Sequence, residues 1–520
     1  MTPSVASGPT VGEQALRALA RYPQRDAFVW PGGRLTYAGA LDLIGRFQAA
    51  FAGARPARGA RVALLSANRA EAWCAGIAAQ ASGLCTTWLH PLGSIADQLD
   101  QIADAEAAVL VVDSLHFHER GGELAAAVDG SVTVFTLGAA AYGRDLLAAA
   151  DAAGAQTPAD LADANDLAAL SYTGGTTGKS KAALRRHASL AAMTAACLAD
   201  FELPQTPRYL AIAPITHVAG TKVLPSLIRG GTVHLMKGFD PEAILATIAR
   251  ERINFSLLVP TMVYALLDCP ALDGADLSSL ELLLYGASPM SPTRLLEGLE
   301  RIGPVFAQLY GQTECYPIAV LAKADHDPAR PDRFAACGFP GASVSVRLLD
   351  LEGNDAAPGA AGEICVRAPQ VMEAYWKRPE QTRDALRDGW LHTGDIARVD
   401  DEGCLYIVDR TKDMIVSGGF NIYPREVEDA LTTHPAVATA AVIGVPDPKW
   451  GEAVMALVVC RPGQSVCAEE LTAAVKALKG SPYAPKRIEF VDSLPVTAVG
   501  KVDKKVLRQS YWARESRMVG

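Results

Sequence analysis

The chain has 520 residues, of which 50% are hydrophobic and 20% charged, and its formal net charge is −9. This length exceeds the usual size of a single domain, so we expect two or more domains with large cores. The negative charge disfavours nucleic acid as a partner, because binding to a phosphate backbone needs a basic face. The first residues lack the pattern of a signal peptide and the sequence shows no apolar run long enough to cross a bilayer, so we expect a cytoplasmic protein.

Alternating apolar and Ala/Leu-rich stretches fill the first four hundred residues. Strand-like runs include "RVALLS", "AAVLVVD", "YLAIAPI", "INFSLLVP" and "LELLLYG", and the first of these precedes the helix-like "AEAWCAGIAAQASG". This alternation predicts an α/β fold with largely parallel, buried strands. From about residue 345 the runs become shorter and are separated by turn residues, which predicts a β-rich subdomain.

The last hundred residues have the pattern of a small α+β unit. "PREVEDALTTH" and "AEELTAAVKALKG" read as helices, and "VATAAVIGVPD", "AVMALVVC" and "KRIEFVD" read as strands. We therefore predict a large N-terminal domain over residues 1–410, made of α/β sheets and the β-rich subdomain. A small mobile C-terminal domain over residues 411–520 follows, with a hinge near residues 410–413.

Ten cysteines are scattered between Cys74 and Cys467 without a C-x-x-C pair. Their spacing favours reduced thiols that pack in the core over a disulfide or zinc framework. His116 and His118 form a short H-x-H pattern. Without a third ligand nearby, that pattern is more often a strand or surface feature than a metal site.

A glycine-rich loop occupies residues 171–181, "SYTGGTTGKSK", after the strand-like "LAALSY". In the P-loop pattern G-x-x-x-x-G-K, the first glycine stands five positions before the glycine that precedes the lysine. Gly178 is the later glycine here, so the first would be at position 173, where the chain has Thr173. Three glycines and three threonines still allow backbone N–H groups and hydroxyls to face a phosphate. A helix-compatible stretch from about His187 is the setting of an anion-binding loop, although a glycine-rich surface turn explains the same residues.

Residues 309–314, "LYGQTE", follow a strand-like run and carry three side chains suited to a nucleotide. Tyr310 can stack on an adenine, and Thr313 can reach a phosphate. The Glu314 carboxylate suits Mg²⁺, which binds through one or two carboxylates together with substrate phosphates. The alternative is a polar turn after a buried strand.

Three later stretches carry further candidate residues. Asp395 in "GWLHTGD" can accept hydrogen bonds from ribose hydroxyls. Arg410 and Lys412 stand at the predicted domain boundary and precede a glycine pair at residues 418–419, and Lys501 stands on a Gly-Lys turn near the C-terminus. Taken singly, each stretch also fits a solvated turn.

Together and in this order, the motifs resemble the adenylate-forming enzymes, which include acyl-CoA and aryl-CoA ligases, firefly luciferase and the adenylation domains of peptide synthetases. The phosphate loop of that family reads Y-T-S-G-T-T-G-x-P-K-G, and "YTGGTTGKSKA" follows it from Tyr172 to Ala182. Flanks such as "GEICVRAPQVMEAYW" and "VIGVPDPKWGEAV" extend the resemblance nearly end to end. Four positions depart from the family pattern, namely Gly174 for Ser, Ser180 for Pro, Ala182 for Gly and Ala374 for Gly, and they bear on loop stiffness and phosphate affinity.

The resemblance implies two half-reactions. A carboxylate attacks the α-phosphate of ATP to give an acyl-adenylate and pyrophosphate, and a thiol then displaces AMP. The implied small molecules are the acid, ATP, Mg²⁺ and coenzyme A, and the implied catalytic residues are Lys501, His217 and Thr173. The residues assigned to ATP and AMP are Thr173, Gly174, Gly175, Thr176, Thr177, Gly178, Lys181, Gly286, Ala287, Ser288, Gln308, Tyr310, Gly311, Thr313, Asp395, Arg410 and Lys501.

The resemblance also implies residues for the acid, the metal, the thiol and the hinge. The acyl pocket is assigned to His217, Val218, Ala219, Gly220, Tyr264, Gly286 and Tyr310. Mg²⁺ is assigned to Glu314 and Thr173, coenzyme A to Gly418, Gly419 and Phe420, and the hinge to Lys412.

The leading hypothesis is an AMP-forming CoA ligase for an apolar carboxylic acid, either aryl or fatty. An amino-acid adenylation enzyme is disfavoured, because it would present an acidic residue near residues 217–220, which read "HVAG". A stand-alone adenylation enzyme that loads a separate carrier protein, and a non-catalytic nucleotide-binding relative, remain alternatives. The sequence leaves open the identity of the acid and the oligomeric state, monomer or homodimer.

Overall fold

In the computed structural model, the described part of the chain comprises residues 8–128, 130–173, 180–288, 290–350, 352–410, 413–417, 420–447, 450–496 and 502–515. For residues 409, 410, 416, 420, 421 and 513–515, the description covers the backbone.

Strands run through the whole described part of the chain. Their bounds are β1 Asp26–Trp30, β2 Gly33–Thr36, β3 Arg61–Leu65, β4 Cys85–Trp88, β5 Ala107–Val112, β6 Thr133–Thr136, β7 Arg144–Asp145, β8 Leu167–Tyr172, β9 Ala182–Arg186, β10 Arg208–Ala211, β11 Thr232–Leu235, β12 Phe255–Leu258, β13 Leu282–Gly286, β14 Phe306–Tyr310, β15 Ala319–Leu321, β16 Phe339–Pro340, β17 Ser345–Leu349, β18 Gly362–Arg367, β19 Ala374–Tyr375, β20 Leu386–Arg387, β21 Trp390–Val399, β22 Leu405–Arg410, β23 Ile415–Ser417, β24 Phe420–Ile422, β25 Val437–Asp447, β26 Gly451–Cys460 and β27 Arg487–Phe490.

Local sequence explains where many helices begin. The side chains of Thr10, Thr36 and Ser94 each accept a backbone N–H of the first turn that follows, which satisfies a group the helix leaves unpaired. The α-helices are α1 Val11–Arg21, α2 Tyr37–Ala54, α3 Ala70–Ala81, α4 Ile95–Asp104, α5 His118–Ala127, α6 Leu146–Ala153, α7 His187–Asp200, α8 Val223–Ile228, α9 Pro241–Glu251, α10 Pro260–Leu267, α11 Pro292–Arg301, α12 Pro379–Ala385, α13 Pro424–Thr432, α14 Ala468–Lys479 and α15 Lys504–Glu515.

Two large sheets form the N-terminal part of the molecule. One has the strand order β16-β15-β14-β13-β12-β10-β11-β1-β2, and the other has the order β19-β9-β8-β4-β3-β5-β6-β7. Neighbours from β11 through β10, β12 and β13 to β14 pair in parallel, as do the neighbours from β8 through β4, β3 and β5 to β6. The predicted α/β fold with largely parallel strands is confirmed.

The main hydrophobic core joins the two sheets through the helices between them. Phe28 and Tyr209 come from the nine-stranded sheet, Val62 comes from the eight-stranded sheet, and Leu19 of α1 and Phe47 of α2 pack with them, all fully buried. The runs of apolar residues that identified the strands are therefore the residues that hold the two sheets together.

Two smaller sheets complete the molecule. The β-rich subdomain has the order β17-β18-β21-β20, with β22 beside β21, and the C-terminal unit has the order β24-β23-β26-β25, with β27 beside β26. Helices α13 and α15 both pack against β25, and the unit has its own core. The predicted β-rich subdomain and small C-terminal α+β unit are confirmed, while the boundary between residues 410 and 411 stays a prediction.

The structure corrects the expected setting of the glycine-rich loop. The helix expected from about His187 is present as α7 and begins at that residue, but strand β9, which the sequence did not indicate, lies between the loop and this helix and pairs antiparallel with β8. The strand was missed because "AALRR" is short and ends in two charged residues. A phosphate at this loop would be held by a strand-to-strand turn rather than by a helix N-terminus.

Among the described helices, none is long and apolar enough to span a membrane.

Candidate active site

Most of the candidate residues lie where parallel strands end. Strand β13 ends at Gly286, β14 ends at Tyr310, and β10 is followed by the turn that contains His217. In open α/β sheets, ligands bind in the crevice outside the carboxyl ends of the strands. The sheet order therefore brings residues that are about ninety positions apart to one edge.

The ends of the glycine-rich loop are held together by the β8–β9 pair. Tyr172 pairs with Ala182, and the N–H of Thr173 donates to the carbonyl of Lys181 at 2.8 Å. The residues between them that were assigned to ATP lie outside the described part of the chain, namely Gly174, Gly175, Thr176, Thr177 and Gly178.

The best defined polar cluster surrounds the carboxylate of Asp395. This side chain is buried, and it accepts hydrogen bonds from the hydroxyl of Tyr310 at 2.7 Å and from the amide of Gln312 at 2.5 Å. The same amide nitrogen also donates to the carbonyl of Thr393 at 2.9 Å. The hydroxyl of Tyr310 thus binds Asp395, whereas the sequence motif suggested a role for the Tyr310 ring alone, as a surface for adenine.

A second cluster links the glycine-rich loop to Glu314. The hydroxyl of Tyr375 donates to Oε1 of Glu314 at 2.6 Å, and the Lys181 ammonium lies 5.1 Å from the centre of the Tyr375 ring. The buried guanidinium of Arg185 donates to the carbonyl of Thr313 and to that of Gln370. These contacts fix the backbone at Thr313, immediately before Glu314, and place Lys181 beside the tyrosine that binds Glu314.

The backbone at the end of β13 lies very close to the neighbouring strand β14. A Cβ atom at Gly286 would lie 2.3 Å from the carbonyl oxygen of Leu309 on β14, so a larger residue cannot stand there. Ala287 has a φ of +66°, an unusual conformation for a residue with a side chain. Gln308 lies on the neighbouring strand, where its side-chain oxygen accepts a hydrogen bond from Tyr285 at 3.2 Å.

His217 pairs with a histidine that the sequence analysis did not select. The ring centres of His90 and His217 are 4.3 Å apart, with the rings edge to face. Nδ1 of His217 lies 2.8 Å from the hydroxyl of Thr216. Burial, with a smaller contribution from His90, lowers the pKa of His217 to about 3, so this imidazole is neutral at physiological pH.

The predicted acyl-pocket residues form two groups. Val218, Ala219 and Gly220 lie in a short 3-10 turn after His217, and a Cβ atom at Gly220 would clash with the carbonyl of Ile215. Tyr264 lies on α10, where its hydroxyl accepts the N–H of Ser291 at 2.7 Å. Their contact with a substrate stays a prediction.

Several predicted residues belong to parts of the chain that the structure describes partly or not at all. Arg410 ends β22, where its backbone pairs with Asp395, and Phe420 begins β24. The side chains of these two residues are not described. Besides the loop residues named above, four predicted residues lie wholly outside the described ranges, namely Lys412, Gly418, Gly419 and Lys501.

One other group of metal-ligating side chains occurs in the described part of the chain, formed by Glu363, Cys365 and His392. Nδ1 of His392 lies 2.8 Å from Oε2 of Glu363 and 3.3 Å from Sγ of Cys365. However, the Arg387 guanidinium lies 2.7 Å from the same ring nitrogen and 3.6 Å from the Glu363 carboxylate. The cluster is thus satisfied by hydrogen bonds and a neighbouring cation, which is unfavourable for a metal ion.

Four contributors to the site were missed from the sequence, namely His90, Arg185, Gln312 and Tyr375. Gln312 stands inside the "LYGQTE" motif, and its amide could have been considered as a donor to Asp395. The other three are brought to the site by chain segments that are distant in sequence, and a single sequence carries no signal for such contacts.

Comparison with known proteins identifies the family of the chain. The family model described as AMP-binding enzyme matches residues 15–376, and the model described as AMP-binding enzyme C-terminal domain matches residues 426–501. The medium/long-chain-fatty-acid–CoA ligase FadD8 of Mycobacterium tuberculosis is 43% identical, over 98% of this chain and 91% of the relative. A feruloyl-CoA synthase of an Amycolatopsis species is 37% identical, over 96% of this chain and 99% of the relative.

Solved structures show the same architecture. The amide bond synthetase McbA from Marinactinospora thermotolerans superposes with a TM-score of 0.89 at 35% identity, covering 96% of this chain and 99% of that one. ATP-bound MatB from Rhodopseudomonas palustris has a TM-score of 0.86 at 30% identity, with coverages of 96% and 99%.

Fold, motif order and site together define an adenylate-forming enzyme. The chain belongs to the AMP-binding enzyme family and is an AMP-forming acid–CoA ligase. The predicted family, fold class and type of enzyme are confirmed.

Proposed function

We propose that this enzyme adenylates an apolar carboxylic acid with ATP and Mg²⁺, and that it passes the acyl group to coenzyme A with release of AMP. The observation that carries the proposal is the convergence of two polar clusters at one sheet edge. The Asp395 cluster suits a ribose, and the Glu314–Tyr375–Lys181 cluster suits a polyphosphate with its metal.

In the first half-reaction, an oxygen of the acid carboxylate bonds to the α-phosphorus of ATP, and the bond to the bridging oxygen of pyrophosphate breaks. Such phosphoryl chemistry depends on positioning and on charge neutralisation, so that a protein nucleophile is not required. We assign the neutralising cations to Lys181 in the loop and to Lys501 from the C-terminal domain. Lys501 can act only when that domain closes over the site.

The residues present suit a magnesium ion beside the phosphates. Oε1 of Glu314 accepts the hydroxyl of Tyr375, and its other carboxylate oxygen makes no hydrogen bond to the described residues. A single carboxylate supplemented by substrate phosphates is a common way for proteins to bind Mg²⁺. When bound, the ion would neutralise phosphate charge, and Glu314 with Thr173 would hold it.

In the second half-reaction, the thiol of coenzyme A adds to the acyl carbon, its proton leaves, and AMP departs from the collapsing intermediate. We propose that His217 lies between the acid and the entering thiol. Because this imidazole is neutral, it presents an uncharged surface to both. We assign the pantetheine contact to Gly418 and Gly419, which would face the site after the C-terminal domain turns about Lys412.

The acid itself is proposed to be aryl or fatty. The full-length relatives include a medium/long-chain fatty acid ligase, at 43% sequence identity, and a feruloyl-CoA synthase, at 37%. Both classes of acid therefore occur among relatives of comparable identity. The stretch from Val218 to Gly220 carries no charged side chain, which suits an apolar body of either type.

Two alternative acceptors are suggested by relatives. One relative is a fatty acid–acyl-carrier-protein ligase, and one structural neighbour is an amide bond synthetase. Both acceptors would attack the same adenylate, so the first half-reaction is common to all three outcomes. Coenzyme A is preferred because the full-length relatives named above are CoA ligases.

The proposal is tested by following the nucleotide products with a panel of fatty and aryl acids. We expect pyrophosphate and AMP to appear only when an accepted acid is present, and a thioester to form when coenzyme A is added. ADP as the main product would overturn the proposal. Replacing coenzyme A by a carrier protein or an amine in the same assay identifies the acceptor.

We also propose a cytoplasmic location. The ten cysteines are all free, and eight of them are buried. Unpaired thiols in such number are typical of a reducing compartment.

A further inference from the structure

Tyr375 contacts two residues that the proposed function assigns to the phosphates and their metal. Its hydroxyl donates to Oε1 of Glu314 at 2.6 Å, and the ammonium of Lys181 lies 5.1 Å from the centre of its ring. Lys181 and Glu314 are far apart in the sequence. A single side chain therefore joins the end of the glycine-rich loop to the "LYGQTE" motif.

The backbone around Tyr375 is fixed to the same two motifs. Strand β19, which contains Tyr375, pairs antiparallel with β9, directly after the glycine-rich loop. The N–H of Trp376 donates to the carbonyl of Ala182 at 2.8 Å. The N–H of Met372 donates to the carbonyl of Glu314 at 2.7 Å. The orientation of the tyrosine is thus set by the segments that it joins.

A ligand can reach all three side chains, because Lys181, Glu314 and Tyr375 are each partly exposed. Within the described part of the chain, the Lys181 ammonium makes no ion pair and the second carboxylate oxygen of Glu314 makes no hydrogen bond. Burial and the nearby Glu314 carboxylate raise the pKa of Tyr375, so its hydroxyl stays protonated and can donate. The tyrosine thus occupies one oxygen of the carboxylate and leaves the other oxygen and the lysine for a ligand.

We propose that Tyr375 is a positioning residue for adenylate formation. Its hydroxyl orients Glu314 toward the magnesium ion, and its ring holds Lys181 beside the phosphates. The partners that hydrogen-bond a metal ligand commonly change metal affinity by about 10- to 100-fold when they are removed. This inference rests on the proposed function, because it assumes that Glu314 binds the ion.

Replacing Tyr375 by phenylalanine removes the hydroxyl and keeps the ring. We expect the Mg²⁺ concentration required for half-maximal pyrophosphate release to rise roughly tenfold or more, with an unchanged KM for the acid. Calorimetry of ATP binding without acid, over a range of Mg²⁺ concentrations, should show the same shift in the absence of turnover.

A double-mutant cycle separates positioning from a general structural effect. If the Tyr375 hydroxyl acts through Glu314, it has no further effect on the metal once Glu314→Gln has removed the carboxylate. Tyr375→Phe should therefore raise the Mg²⁺ requirement in the wild-type background and leave it unchanged in the Glu314→Gln background.

Tyr375→Leu tests the role of the ring. This change removes the surface that holds the Lys181 ammonium as well as the hydroxyl. We expect the KM for ATP at saturating Mg²⁺ to rise several-fold above that of Tyr375→Phe, since a cation over an aromatic ring contributes about 0.5–2 kcal/mol.

Tyr511→Phe is the matched control. The Tyr511 hydroxyl also donates to a glutamate, at 2.5 Å from Oε2 of Glu489, and the pair lies in the C-terminal unit. Neither residue belongs to the proposed site, so we expect the Mg²⁺ requirement and the ATP binding of the wild-type enzyme.

The outcomes are decisive for Tyr375. An unchanged Mg²⁺ requirement in Tyr375→Phe, or an equal shift with and without Glu314, would overturn the proposal. If Tyr375→Leu does not fold, Tyr375→Phe and the double-mutant cycle still decide it. Pyrophosphate release by the wild-type enzyme with any acid supports the proposed function independently, so that the failure of this inference is distinguishable from the failure of that one.

Discussion

Replacing Tyr310 by phenylalanine tests the Asp395 cluster directly. The change keeps the ring, which packs in the core of the β-rich subdomain, and removes the hydroxyl that donates to the buried carboxylate at 2.7 Å. A hydrogen bond to a charged acceptor contributes about 1.5–3 kcal/mol. Because Gln312 still donates to Asp395, we expect a loss of about 1–2 kcal/mol in the free energy of unfolding.

The same change should weaken nucleotide binding. A carboxylate that loses one of its donors is less well held in the orientation that a ribose needs. We therefore expect the KM for ATP to rise roughly tenfold, which corresponds to about 1.4 kcal/mol of binding free energy. Denaturant unfolding measures the first effect, and pyrophosphate release at varied ATP concentration measures the second.

Tyr406→Phe is the matched control for this experiment. Its hydroxyl donates to Asp400 at 3.2 Å, and that carboxylate is 30% exposed. We expect a change within about 0.5 kcal/mol and an unaltered KM for ATP. Equal effects of the two substitutions on both quantities would refute the role that we give to the Tyr310–Asp395 pair.

Four further predictions concern the two half-reactions, the metal, the acid and the pH dependence of stability. Lys501→Ala should lose adenylate formation yet convert supplied acyl-adenylate and coenzyme A to thioester, whereas Gly419→Leu should do the reverse. Equal impairment of both steps in either variant would contradict the assignment of Lys501 to the first half-reaction and of Gly419 to the second. Glu314→Gln should raise the Mg²⁺ concentration required for pyrophosphate release roughly tenfold or more, and an unchanged requirement would exclude it as a ligand. α-Amino acids should be poor substrates beside their deaminated analogues in competition assays, because an unpaired buried ammonium costs several kcal/mol, and equal turnover would disprove this. Since burial lowers the pKa of His217 to about 3 while an unfolded histidine titrates near about 6.5, the unfolded state binds the extra proton between these values. The free energy of unfolding should therefore fall as pH falls through this window, less steeply in His217→Phe, and identical slopes would count against the burial of His217.

The elements of the fold could be predicted because each depends on local pattern. The apolar runs that became β3, β5, β12 and β13 are buried strands in the structure, and "PREVEDALTTH" became α13. Strand β9 could not be predicted in this way. It exists because β8 offers it a partner, and its sequence alone resembles a helix entry as much as a strand.

The site was predicted to the level of motifs but not of contacts. The order of motifs identified Asp395, Tyr310 and Glu314, and the structure brings Asp395 and Tyr310 into one hydrogen bond. The contact of Tyr375 with Glu314 spans sixty-one residues and that of His90 with His217 spans even more, so neither has a local signature. Such pairs follow from sheet order, which a single sequence does not specify.

The central claim is that the acid forms a covalent adenylate, and an oxygen-18 label in the carboxyl group of the acid tests it most directly. When the carboxylate oxygen bonds to the α-phosphorus and AMP later leaves the acyl carbon, that oxygen stays with the phosphate. The account predicts one labelled oxygen in the AMP that is released with each thioester, measured by mass spectrometry of the nucleotide. AMP without label, or label found in pyrophosphate or inorganic phosphate, would contradict it.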